Sequence, residues 1–163
     1  MGLPNQDKTL EKVKAFVFRL LKIRLRSEKE IIDKLIKKFP SNDIEKTLNY
    51  FKDLNLIDDR QFAKEWISSR LNKSYGFKRI NYELRQKGIN NEMIKEEWDK
   101  TIEEYDLSKI VQTLAEKRLR LYQHLEKPKA KRRLLEYLMR RGFTHPTVYQ
   151  VINRLFKNQN DRE

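Results

Sequence analysis

No cysteine occurs among the 163 residues. Disulfides, thiolate zinc sites and cysteine nucleophiles are therefore excluded, and the chain suits a reducing compartment. Histidine is scarce. His124 and His145 fall at a predicted helix end and a predicted helix start, and they read as polar cap or surface residues rather than metal ligands. Motifs that concentrate chemistry are missing: there is no H-E-x-x-H, no Asp-rich calcium loop, no phosphate-cradling G-x-x-x-x-G-K-[ST] and no G-x-S-x-G turn. No apolar run approaches the roughly 18–20 residues that span a bilayer. The opening MGLPNQDK lacks the apolar stretch of a signal peptide. Gly2 begins a myristoylation-like pattern, but Gln6 stands where Ser or Thr is required. These absences point to a soluble, cytoplasmic protein that is not an enzyme, with no cofactor, no metal and no membrane contact.

Charge is abundant. Lys and Arg number 37 against 24 Asp and Glu, for a net +13, and charged residues make up 37% of the chain. Disorder is excluded by apolar content: Leu, Ile, Val and Phe supply 46 of the 163 residues, above the roughly 20% level below which chains stay unfolded. A folded protein with a large surface for its mass satisfies both numbers. The charge is uneven: residues 1–57 carry net +5, residues 58–104 net zero and residues 105–163 net +8. Two basic ends flanking a neutral middle attract nucleic acid or an acidic protein surface.

Periodicity is helical almost throughout. Val13, Phe16, Val17, Leu20 and Leu21 follow i, i+3, i+4, i+7, i+8, as do Leu107, Ile110, Val111, Leu114 and Ala115. With only four glycines and four prolines, breakers are few, and those present are placed alike. KLIKKFPSNDI (34–44), ELRQKGINNEMI (83–94) and YLMRRGFTHPTV (137–148) align Leu35, Leu84 and Leu138, then Phe39, Ile89 and Phe143, then Ile44, Ile94 and Val148. Gly88 and Gly142 match as residues just past a helix end, where positive φ is cheap for glycine, and Pro40 is the stop in the first copy. N-cap candidates follow each turn: Asn42 with Glu45, Asn90 or Asn91, and Thr144 with Pro146. The spacing is an internal repeat of about 50 residues. It predicts an all-α fold of three tandem three-helix repeats, elongated and curved, spanning 1–57, 58–104 and 105–163. The helices fall near 8–25, 27–38, 41–55, 59–73, 77–87, 91–104, 106–124, 129–141 and 145–157.

DDRQFAKEW (58–66) sets two carboxylates side by side in this basic chain. Asp58 and Gln61 make a D-x-x-Q capping box, and both carboxylates lie at the positive end of a helix dipole. One Asp suffices for a cap, so Asp59 is expected to pair with a basic group of the neighbouring helix. Basic residues cluster at KIRLR (22–26), at Arg70 and Lys73 with Lys78 and Arg79, and most densely at KPKAKRRLLEYLMRRG (127–142). There Leu134, Leu135 and Leu138 are expected to face the core, with Arg133, Tyr137, Arg140 and Arg141 away from it.

The run 58–89 resembles the second repeat of the RecX family, bacterial regulators of the RecA recombinase. The resemblance rests on Asp58-Asp59-Arg60, Phe62-Ala63, Trp66, Arg70, Gly76, Arg79-Ile80, Glu83-Leu84 and Lys87-Gly88-Ile89. Arg26-Ser27, Glu30-Ile31 and Lys34-Leu35 resemble the family's R-x-S-x-x-E-L-x-x-K-L pattern in the first repeat, and Arg140-Arg141-Gly142-Phe143 supports the third. The first repeat departs from the pattern in lacking a glycine before Phe39. The resemblance implies tandem three-helix repeats and a non-catalytic regulator. Such a regulator binds along the groove of the RecA–DNA filament and lowers its ATPase, strand-exchange and coprotease activities. It makes Asp58, Asp59, Arg60, Phe62, Trp66, Gly76, Leu84 and Gly88 a largely structural signature, with Phe62, Trp66 and Leu84 in the core. The expected contacts to the filament or its single- or double-stranded DNA are Arg24, Arg26, Arg70, Lys73, Arg79, Arg85, Lys87, Arg132, Arg133, Arg140 and Arg141. The chain is expected to act as a monomer. Net charge alone also supports a helical-repeat protein that binds DNA or RNA directly.

Overall fold

A computed structural model describes the backbone of residues 4–160 and the side chains of 8–157; Gly2 lies outside these. The described residues form nine α-helices and no strand: α1 Pro4–Ile23, α2 Glu28–Leu35, α3 Ser41–Asp53, α4 Asp59–Asn72, α5 Phe77–Gln86, α6 Asn91–Ile102, α7 Leu107–Arg120, α8 Lys127–Arg140 and α9 His145–Asn160. No described helix is long and apolar enough to cross a membrane.

Local chemistry sets most boundaries. Ser27 and Glu30 form a complete capping box at α2, each side chain bonding the other's backbone N–H. Asn90 accepts from the Met93 N–H at the start of α6, and Asp106 from the Lys109 N–H at the start of α7. Gly88 and Gly142 adopt φ of 84° and 91° just past α5 and α8, the left-handed conformation that closes a helix without a Cβ penalty.

The helices pack in threes, and each triplet buries its own core. The first is built on Val13, Val17, Ile31, Leu35, Leu48 and Phe51. The second rests on Phe62, Ile67, Leu71, Ile80, Leu84 and Ile94, and the third on Val111, Ala115, Leu134, Leu138, Val148 and Ile152. The aligned residues Leu35, Leu84 and Leu138 are all fully buried, so the internal repeat is a repeat of core positions. Leu107 packs against both the second and third cores. Three thin cores leave 10974 Å² accessible, against about 8,700 Å² for a compact monomer of this mass.

Several local expectations are corrected. Asn42 does not cap α3: the helix begins at Ser41 behind Pro40, with no side-chain cap. Gln61 does not complete a capping box with Asp58, because its amide donates to Glu65 instead. The first helix ends at Ile23, short of the expected residue 25, with Lys22 in its last turn and Arg24 and Arg26 in the link to α2. Trp66 is half-buried rather than core.

Candidate partner-binding surface

The middle helices of the three units meet end to end. At the first junction the Ser27 hydroxyl, at the start of α2, donates to the Lys87 carbonyl at the end of α5 (2.7 Å). At the second, the Gly76 N–H, at the start of α5, donates to the Arg141 carbonyl at the end of α8 (2.9 Å), and the Lys78 N–H donates to the Gly142 carbonyl (3.0 Å). Ser27 and Gly76 are equivalent in the repeat, as are Lys87 and Arg141. A helix-start donor on a helix-end carbonyl therefore occurs at both junctions, a hydroxyl at the first and backbone amides at the second, pairing the positive end of one helix with the negative end of the next. No Cβ fits between the units at Gly76, where it would strike the backbone of Gly142 and Phe143.

Asp58, Asp59 and Arg60 divide three tasks between them. Asp58 caps its own helix, accepting from the N–H groups of Arg60 and Gln61. Asp59 caps a different one: its Oδ1 accepts from the N–H of Glu28, the first residue of α2, at 2.8 Å. The expected basic side-chain partner is replaced by this backbone donor. Burial pushes the Asp59 carboxyl up, opposed by the Glu28 N–H. Arg60 reaches α6, bonding Glu96 (2.7 Å) and the buried Glu97 (2.6 Å).

Two further carboxylates organise the cations. Glu30 takes a bidentate pair from Arg24 (3.0 and 2.9 Å) and an ion pair from Lys87 (2.6 Å). Burial works against its charge, but these bonds outweigh it and hold its pKa down to about 2. Glu83 accepts from Arg70 (2.6 Å), Arg79 (3.1 Å) and the Trp66 indole N–H (3.0 Å). Its pKa is also lowered, the cations again outweighing burial. Aromatic rings extend the network. Lys87 and Arg70 lie over Trp66 at 4.3 and 4.2 Å, and Arg79 and Arg141 lie over Tyr75 at 4.1 and 3.9 Å. An alternation of acid, cation and ring thus runs from Glu30 in the first unit to Arg141 in the third.

The sequence-predicted contact residues fall into two groups. Arg24, Arg70, Arg79 and Lys87 serve the two carboxylate nodes, Arg26 donates to the Leu20 carbonyl at 3.3 Å, and Arg141 donates to the Ser74 carbonyl (3.0 Å) and to the Lys73 carbonyl. Lys73, Arg85, Arg133 and Arg140 are exposed, and no described side chain pairs with theirs. Arg132 is exposed with only Glu136 at 3.9 Å, beyond hydrogen-bond length. The organising acids Glu30 and Glu83 were missed as sites in the sequence. Their signal was available: each is a carboxylate inside a motif otherwise rich in Arg and Lys. No group of His, Cys, Asp or Glu suited to a metal occurs among the described residues.

Comparison with known proteins agrees with this architecture. Family models described as the first, second and third three-helix domains of RecX match residues 14–51, 58–96 and 104–152. Regulatory protein RecX of Chlorobium phaeobacteroides is 36% identical over 149 residues, covering 89% of this chain and 95% of that protein. The Mycolicibacterium smegmatis protein of the same name is 32% identical over 158 residues, covering 93% and 84%. The crystal structure of RecX from Lactobacillus salivarius superposes with a TM-score of 0.81 at 25% identity, covering 91% of this chain and 97% of the other. A chain of three cores joined by a twice-repeated helix-end contact, matched along nearly its whole length, belongs to the RecX family of regulatory proteins.

Proposed function

We propose that this protein is a non-catalytic regulator of the RecA recombinase, acting in the cytoplasm as a monomer. It binds the RecA–DNA filament, limits its growth or favours its disassembly, and so lowers its ATPase, strand-exchange and coprotease activities. The observation that carries this reading is the recurrence of one junction along the molecule, Ser27 on Lys87 and Gly76 on Arg141. A molecule periodic along its length suits a partner whose protomers recur along an axis. The units in this reading divide after residues 57 and 104. The unpaired Lys73, Arg85, Arg133 and Arg140 meet acidic protomer surfaces or the enclosed DNA, while the paired cations hold the repeats in register. The test is the single-strand-dependent ATP hydrolysis of RecA from the same source with this protein titrated in. Inhibition well below one molecule per protomer is expected; no inhibition at equimolar protein sinks the reading.

The net charge of +13 favours a second reading, direct binding of DNA or RNA without a recombinase. Salt separates the two. A binder that contacts Z phosphates on duplex DNA shows a log–log slope near −0.9Z, whereas docking to protein surfaces keeps much of its affinity at moderate salt.

A further inference from the structure

The third unit carries a groove of about 280 Å³ between α8 and α9, lined by Pro128, Lys131, Arg132, Leu135, Tyr149 and Ile152. The α8 residues follow i, i+3, i+4, i+7 and share one face. Leu135 and Ile152 supply an aliphatic floor. Tyr149 stands as an exposed wall, its ring stacked on His145 at 5.8 Å between centroids. Lys131 and Arg132 form a basic rim, and no carboxylate lines the groove. Glu136 approaches Arg132 only at 3.9 Å, with both side chains more than half exposed, a pairing of little strength. The pocket beside the link between α6 and α7 is different: Glu104 and Asp106 offset Lys109 there. The volume falls just under the roughly 300–1,000 Å³ of small-molecule sites and suits an inserted side chain.

We propose that this groove docks a segment of a protein partner in which an aliphatic or aromatic side chain is flanked by carboxylates. The apolar group enters over Leu135 and Ile152, and the carboxylates meet Lys131 and Arg132. This rests on the reading that the protein regulates by binding another protein, and it names the chemistry of the segment recognised. A nucleic-acid strand would find the cations, but the floor of Leu135 and Ile152 gives its polar sugar and phosphate groups no hydrogen-bond partner.

The test uses the full chain and a fluorescein-labelled synthetic peptide in which glutamates flank a leucine–phenylalanine pair, read by anisotropy. Controls are the peptide with serines replacing that pair, the peptide with glutamines replacing the glutamates, and oligothymidine. The serine control is expected to bind roughly ten- to hundredfold more weakly, the loss of burying a large apolar side chain. Tyr149→Ser and the double variant Lys131→Glu/Arg132→Glu alter exposed groups, and each is expected to abolish peptide binding while leaving the circular dichroism spectrum unchanged. Equal affinity for the serine control makes the groove a non-specific basic surface and overturns the proposal. So does oligothymidine binding lost in the same variants, which makes it a nucleic-acid site. Specific capture of the peptide by a protein that leaves RecA ATPase untouched upholds the groove and overturns the regulator reading. Inhibition of RecA by a protein that captures no peptide does the reverse.

Discussion

Asp59 accepts a hydrogen bond from the backbone N–H of Glu28, 31 positions earlier, and so caps a helix of the preceding repeat. Neighbouring Asp58 caps its own. The paired carboxylates are therefore a joint between units. The acceptor at Asp59 matters more than its charge, since burial already disfavours the ionised form. Asp59→Ala is expected to lose about 0.5–2 kcal/mol of stability, the worth of a helix cap. Asp59→Asn keeps the acceptor oxygen and is expected to match or exceed the parent at pH 7. Urea unfolding of both variants decides it. Equal destabilisation would mean that the charge itself, attracted by Lys52, holds the joint.

That joint also marks how far the sequence could be read. Asp58 as a cap, Gly88 and Gly142 as helix ends, and Leu35, Leu84 and Leu138 as one repeated core position follow from local spacing, because helix periodicity and capping act within a few residues. The partners of Asp59, Lys87 and Arg141 lie in another unit, at separations that no local pattern encodes. Arg24, Arg70 and Arg79 differ, because their carboxylates lie in their own units: Arg79 meets Glu83 at i+4, a spacing the sequence displays, while Arg24 and Arg70 reach Glu30 and Glu83 only once neighbouring helices pack. The resemblance places Trp66 in the core, but its indole N–H donates to Glu83, Arg70 and Lys87 lie over its ring, and it stays half-buried.

Gly76 is required for space. Its φ of −94° is open to any residue, yet a Cβ there would collide with the backbone of Gly142 and Phe143. Gly76→Ala is expected to cost about 1–3 kcal/mol, the range for overpacking, and to do so by opening the second junction. Amide exchange at residues 76 and 78, which donate across that junction, should accelerate more than exchange at Ile31 in the first core. Gly88→Ala combines positive φ with a Cβ 2.6 Å from that of Lys29; the backbone strain alone is worth roughly 1–2 kcal/mol. Uniform acceleration across all three units in Gly76→Ala would show that the junctions are not separate elements.

Acid should loosen the first junction through Glu30. Its pKa is held down from an ordinary 4.5 to about 2 by Arg24 and Lys87. A carboxyl with a depressed folded pKa contributes stability that is fully present above 4.5 and is lost as pH falls towards 2. Glu83 is shifted the same way, whereas Asp59 is shifted up and opposes the trend, its ionisation weakening the fold as pH rises. Unfolding free energy measured from pH 5 to pH 2 is expected to fall, and Glu30→Gln should flatten that fall. An unchanged slope in Glu30→Gln would assign the acid sensitivity elsewhere.

Arg140 and Arg141 are adjacent in sequence and unlike in structure. Arg141 bonds the Ser74 and Lys73 carbonyls and lies over Tyr75 at 3.9 Å, so reversing its charge breaks the second junction. Arg140 is exposed and unpaired, so reversing it leaves the fold alone. Arg140→Glu is expected to stay within about 0.5 kcal/mol of the parent and to weaken inhibition of the RecA ATPase. Arg141→Glu is expected to lose about 1.5–3 kcal/mol, the worth of hydrogen bonds from a charged donor. Its inhibition should fall even when normalised to folded protein, because the spacing between units is disturbed. Full inhibition by Arg140→Glu would remove that face of α8 from the contact. Parental stability in Arg141→Glu would show that the backbone bonds from Gly76 and Lys78 hold the units together without the guanidinium.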